Sequence, residues 1–185
     1  LATNNIMVDS NAASTQQAGL IASKNEVPVV NITAPTAGGV SVNKFTKFNV
    51  DAEGVILNNS AISGQSQIGG QVAANPNLTN GTAKIILNEV TGTSRSTLSG
   101  ITEIFGNKAE YVLANPNGIT CSGCGFINTP RVTLTTGIPD MSQNGHLLGI
   151  NVTKGDVLFT NEDANFTGQD SFDIISRSAE FAKAV

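Results

Sequence analysis

The sequence predicts an all-β protein, a solenoid of short stacked strands. Three observations carry that expectation. Charged residues make up 13% of the 185 positions, against about 25% in ordinary globular domains, and 19 Gly with abundant Asn, Thr and Ser disfavour helical bundles. Apolar runs of strand length alternate with turn signals along most of the chain, spaced too closely for helices between them. Asn recurs at the exits of these runs, and Asn-Pro turns recur 40 residues apart, close to two units of about 20 residues, a period typical of solenoids.

The densest example of this grammar covers residues 114–137. Asn115-Pro116-Asn117-Gly118 writes a turn, because Pro presets φ at the second position and Asn-Gly tolerates the left-handed conformation after it. Ile119, Cys121-x-x-Cys124 and Phe126-Ile127 follow, then a second turn at Pro130 and the alternating run Val132-Thr133-Leu134-Thr135.

Taken in order, residues 1–26 are polar and weakly patterned apart from Ile6-Met7-Val8 and Gly19-Leu20-Ile21. They read as a flexible leader or as a cap over an open end, and the cap is preferred because a bare solenoid end exposes unpaired strand edges. Val27-Pro28-Val29-Val30-Asn31-Ile32 is the first convincing strand, with Pro28 at its start, where a missing N–H is tolerated. Residues 40–45 alternate and residues 48–50 continue in short form. Three segments look alike: residues 54–59, 83–88 and 109–115. Their leucines, Leu57, Leu87 and Leu113, lie 30 and 26 residues apart, which makes them candidate equivalent positions. Asn75-Pro76-Asn77-Leu78 is the other Asn-Pro turn. Strands continue at 147–152, 155–159 and 172–175, around a polar loop at 163–170. Residues 176–185 fit either a short helix or a further strand. Stacking at about 4.8 Å would align like polar side chains from rung to rung, which gives the asparagines a role. The absence of an initial Met and of a closing cap signature reads as a piece of a longer polypeptide.

Composition also excludes functions. The net charge is −4 and the ten basic residues are scattered, without the basic, aromatic-interleaved patch of a nucleic-acid binder. No apolar run approaches the roughly 18 residues of a membrane helix. Gly69-Gly70 lacks the Lys-Ser/Thr of a phosphate loop. A zinc site needs about four ligands, and only His146 could join the two cysteines, so no metal or cofactor is expected. His146 itself reads as an exposed turn residue. Asp51, Glu53, Glu103, Asp156, Glu162 and Asp163 read as solvated loop charges without a pair spaced for acid–base work. No catalytic residue is assigned.

The order and spacing of several motifs resemble the two-partner secretion domain of filamentous haemagglutinin-like exoproteins. They are residues 27–32, Gly39-Val40-Ser41, Phe45-x-x-Phe48-Asn49-Val50, residues 54–59, Asn75-Pro76-Asn77-Leu78 and Asn115-Pro116-Asn117-Gly118-Ile119, within a resemblance spanning roughly residues 27–160. It implies a right-handed parallel β-helix with an N-terminal cap and small extra-helical β elements: one domain, with residues 1–26 as cap or leader and 27–185 as core. It further implies export through the periplasm of a Gram-negative bacterium and recognition by the POTRA domains of a cognate TpsB-type outer-membrane transporter. Surface folding of a downstream exoprotein would follow, from a monomeric domain. The Cys121–Cys124 pair resembles the haemolysin and contact-dependent inhibition (CdiA-like) branch. Export to an oxidising compartment favours a disulfide there, over a redox pair or two buried thiols. The Asn-Pro motifs are either read by the transporter or needed only as stacked turns. A glycan- or host-binding adhesin module and, further off, a β-helix polysaccharide-degrading enzyme are the competing functions; sparse basic residues and 5% aromatics argue against both.

Overall fold

The computed structural model describes residues 4–182. In chain order the strands are β1 (Ile6–Val8), β2 (Gly19–Ala22), β3 (Pro28–Asn31), β4 (Val40–Phe48), β5 (Val55–Asn59), β6 (Gly64–Ser66), β7 (Gly70–Val72), β8 (Ile85–Val90), β9 (Ser96–Leu98) and β10 (Ile101–Gly106). They continue as β11 (Glu110–Ala114), β12 (Ile119–Cys121), β13 (Gly125–Ile127), β14 (Arg131–Thr135), β15 (Ile138–Met141), β16 (Leu147–Asn151), β17 (Asp156–Phe159), β18 (Ser171–Ile175) and β19 (Ser178–Phe181). The helical content of the described residues is one 3-10 turn, Ser14–Gln16.

Three parallel sheets form a column. β3, β5, β10 and β13 stack in the first, β4, β8, β11, β14 and β18 in the second, and β9, β12, β17 and β19 in the third. The chain visits them in turn, so each circuit lays one rung on the last: a parallel β-helix. Inward side chains stack in register, because the period-two pleat keeps alternate residues on one face. Val30 lies beside Leu57 and Leu57 beside Ile104; Ile86 lies beside Tyr111 and Tyr111 beside Val132; Ile119 lies beside Val157. All are buried in one continuous core. Toward the C-terminal rungs the core turns aromatic, with Tyr111–Phe126 and Phe126–Phe166 centroids 6.1 Å apart, Phe166–Phe172 4.1 Å apart and Phe159–Phe181 stacked at 4.8 Å. Corners are tight: a Cβ on Gly92 would lie 2.1 Å from the Thr46 carbonyl of the rung before it.

The N-terminal end is closed. β1 lies antiparallel on β4 and β2 antiparallel on β3, occupying edges that the parallel stack leaves open. Ile6 and Ala18 join the core. Asp9 anchors the cap to the second rung by accepting from the Thr91 hydroxyl at 2.8 Å. Two antiparallel hairpins stand outside the column. β6–β7 brings Val72 and Ile68 over the outward apolar side chains Val27, Val29, Ile56 and Phe105. β15–β16 brings Met141 and Leu147 over Val40, Val42, Leu87, Val112 and Ala114. Outward apolar residues on these two sheets thus acquire a second, smaller core.

Several expectations need revision. Leu57, Leu87 and Leu113 are not equivalent: Leu57 is on the first sheet, while on the second Leu87 pairs with Val112 and Leu113 with Asn88. The β6–β7 excursion lies between Leu57 and Leu87, and the circuit that starts at Leu87 ends at Val112, one residue short of Leu113. Residues 40–48 form one nine-residue strand. Residues 178–181 are strand, held against β17, where lateral pairing overrides the helical propensity of Ala and Glu; residues 183–185 lie outside the described residues. Asparagine stacking occurs over single steps only. Asn58 donates to the Asn31 carbonyl oxygen of the side chain at 2.9 Å, and Asn43 lies beside Asn88, but the next partners in these rows are Phe105 and Leu113.

Leu113 is fully buried and Leu148 is 65% exposed. Leu113→Ala is expected to lose about 2–5 kcal/mol and Leu148→Ala less than about 0.5 kcal/mol, read as the shift of the urea unfolding curve.

Candidate functional site

The two Asn-Pro motifs adopt one local design at different places. In each, the first Asn side-chain oxygen accepts the N–H two residues on, from Asn77 and from Asn117, at 2.9 Å. Its carbonyl accepts the N–H three residues on, from Leu78 at 3.3 Å and from Gly118 at 3.0 Å. This is an Asx turn nested in a β-turn, the geometry that Asn and Pro favour. The remaining side-chain N–H groups reach other rungs. Asn75 donates to the carbonyls of Ile32 at 3.0 Å and Asn58 at 2.9 Å, tying the first rung to the second. Asn115, at the corner between β11 and β12, donates to the Ser94 carbonyl at 3.0 Å and the Ser96 hydroxyl at 2.9 Å. Asn75 is 3% exposed and Asn115 fully buried, and Leu78 and Ile119 point into the core. Pro76 and Asn77 are exposed, and Pro116 and Asn117 half-buried.

Gly118 carries a further constraint. Its φ is +109°, and a Cβ there would lie 2.2 Å from Arg95 Nη1. The Arg95 guanidinium lies over the turn and clamps the third sheet. It grips Asp156 through both oxygens, at 2.9 and 3.0 Å, and donates to the Thr120 hydroxyl at 2.7 Å and the Ile119 carbonyl at 3.0 Å. β9, β12 and β17 are held by one side chain. The Arg95 hydrogen bonds hold the Asp156 carboxyl below the usual carboxylate range.

Cys121 ends β12 and Cys124 precedes β13, and the two form a disulfide across that corner. Both are buried in the main core. The pair therefore fixes the passage from the third sheet back to the first.

Glu103 and Asp156 are not solvated loop charges. Glu103 is 3% exposed on the outer face of β10 and accepts the N–H groups of Gln67 and Ile68 at 2.9–3.0 Å, so it anchors the β6–β7 turn. The signal was available: a carboxylate inside the apolar run Ile101–Gly106 needs partners when buried. Arg95, one of ten basic residues in a low-charge chain, gave no local sign of its partner 61 positions away. Asn59 was similarly hidden. It is fully buried and bridges Ala83 and Asn107 through bonds of 2.8–3.0 Å. His146 is exposed at the β15–β16 turn. Among the described residues no cluster of three His, Cys, Asp or Glu could hold a metal ion.

A family model, TPS secretion domain, matches residues 4–185. The chain belongs to the TPS secretion domain family. A toxin CdiA of Yersinia pestis is 47% identical over 95% of the chain, and the filamentous hemagglutinin of Bordetella pertussis 47% identical over 87%. A CdiA of Enterobacter cloacae, described as a 16S rRNA endonuclease, is 51% identical over 84%. The crystal structure of a filamentous hemagglutinin secretion domain superposes with a TM-score of 0.86, at 41% identity over 95% of the chain and 56% of that structure. The chain spans only 4–5% of the length of these curated relatives. In these relatives, CdiA toxins and a filamentous hemagglutinin, the matched secretion domain is a small part of a much longer protein.

Three outcomes follow from this geometry. Asn115→Ala strands the buried Ser96 hydroxyl and the Asn117 N–H and is expected to lose about 1–3 kcal/mol, more than Asn77→Ala, measured by urea unfolding. Gly118→Ala is expected to destabilise by displacing the Arg95 clamp. The Asp156 carboxyl, depressed in the folded state, contributes stability in full above its unfolded pKa and loses it as pH falls through the folded value. Asp156→Asn should therefore be less stable than the native chain at neutral pH, and the gap should close on acidification, followed by denaturant titration across an acid series.

Proposed function

We propose that the transporter reads this domain while it is extended, and that the folded column is the product of export. Burial of Asn75 and Asn115 supports this reading, because their carboxamides have all their neighbours inside the folded protein. A partner reaching them must meet the chain before the rungs close. A β-rich chain of low charge offers its main chain for strand addition to the periplasmic POTRA domains of a TpsB-type transporter. Folding at the surface then adds rungs to the capped end, since each rung of a solenoid rests mainly on its neighbour.

On this reading residues 1–26 are the cap and 27–185 the β-helical core of one monomeric secretion domain, exported through the periplasm of a Gram-negative cell to its surface. The Cys121–Cys124 disulfide forms in the periplasm and sets one corner. The domain has no catalytic role. The full-length protein is a contact-dependent inhibition toxin, haemolysin or adhesin. Several relatives named CdiA support the first of these, some of them described as tRNA or rRNA nucleases.

The test is capture by the immobilised POTRA domains of the cognate transporter. Urea-unfolded chain diluted onto the column is expected to be retained, with retention lost in an Asn75→Ala, Asn115→Ala double variant, while prefolded chain passes through. Equal retention of prefolded and unfolded chain would contradict the reading.

A further inference from the structure

Asn-Gly pairs are the most reactive sites for asparagine deamidation, because glycine leaves its main-chain nitrogen unobstructed for attack on the preceding carboxamide. The chain has three: Asn80-Gly81, Asn117-Gly118 and Asn144-Gly145. The fold treats them differently.

Two are restrained. The Asn117 side chain donates to the Gly92 carbonyl at 2.7 Å and to the Asn115 side chain at 3.0 Å, and the Gly118 N–H is engaged by the Asn115 carbonyl at 3.0 Å in a buried corner. The Gly145 N–H donates to the Ser142 carbonyl at 3.0 Å, and its own carbonyl accepts from the Thr36 hydroxyl, so the Asn144 turn is pinned to the first rung. Asn80 differs from Asn117 in its side chain and from both in the freedom of the glycine that follows it. Both Asn80 and Gly81 are exposed, and no hydrogen bond holds the Asn80 carboxamide. The Gly81 N–H lies 3.5 Å from the Leu78 carbonyl, beyond the range of a good N–H···O bond. Nothing lies within 4 Å of where a Gly81 Cβ would sit.

We propose that Asn80 is a site of spontaneous deamidation in the folded protein. The Gly81 nitrogen attacks the Asn80 side-chain carbonyl carbon and loses its proton to solvent. The new N–C bond closes a succinimide as the carboxamide C–N bond breaks and ammonia leaves. Water then opens either imide carbonyl, giving aspartate or isoaspartate, with no change in oxidation state. Each event adds one negative charge to the exposed arm between Leu78 and β8, and isoaspartate also lengthens the main chain there by a methylene. The modification is independent of the secretion reading.

The test is peptide mapping after incubation of the folded chain in mildly alkaline buffer, with digestion in acid to preserve the products. Peptides containing Asn80 should gain one mass unit several-fold faster than those containing Asn117 or Asn144. Unfolding in urea should bring the three rates together. A folded Asn80→Ser variant should lose the early acidic species on ion exchange. Folded-state reaction at Asn117 or Asn144 as fast as at Asn80 would overturn the proposal. So would an unmodified Asn80 under conditions where the unfolded chain reacts.

Discussion

The structure depends on the parallel register between successive rungs. A strand of three to six residues cannot satisfy its backbone or bury its apolar face alone. It does both here only because the strand one circuit earlier offers a matching edge and an aligned row of side chains. The row from Ile86 through Tyr111 to Val132 exists because the register is kept, and a one-residue slip would turn the slipped strand's inward side chains to the outer face. The corners guard that register. Asn75 and Asn115 reach from their own turns to carbonyls of other segments, Arg95 spans three strands of the third sheet, and the disulfide fixes the return to the first.

The excursions follow from the same constraint. Two sheets carry apolar side chains on their outer faces as well as inside, and each is covered by a hairpin inserted into the circuit. The β6–β7 cover is fastened by a buried carboxylate, Glu103, which is compensated by main-chain N–H groups rather than by a cation. The cap solves the remaining problem, the open first rung, by turning its strands antiparallel so that no further parallel edge is presented.

The periodic parts of this architecture were readable in the sequence, and the contacts across circuits were not. Pro28 at a strand start, the Asn-Pro turns and the short alternating runs are local signals, set by φ restrictions and the two-residue pleat. The motif resemblance supplied the fold family. Equivalence of Leu57, Leu87 and Leu113 failed because Leu57 and Leu87 belong to different sheets, while Leu87 and Leu113 are one residue out of register and face opposite sides of the same sheet; nothing local in the sequence marks either difference. Glu103 and Asp156 escaped for a related reason: the partner of each carboxylate, a turn for one and an arginine for the other, is placed far away in the chain. The Asn-Pro motifs were legible as turns, but only the structure places their carboxamides between rungs.

If neighbour-to-neighbour stacking is what stabilises the column, stability should be graded along it. Native-state hydrogen exchange measures this most directly. The account predicts the greatest protection in the central rungs, at β5, β8, β10 and β11, with stepwise loss through β17 to β18 and β19. A single opening free energy shared by all protected amides would contradict it.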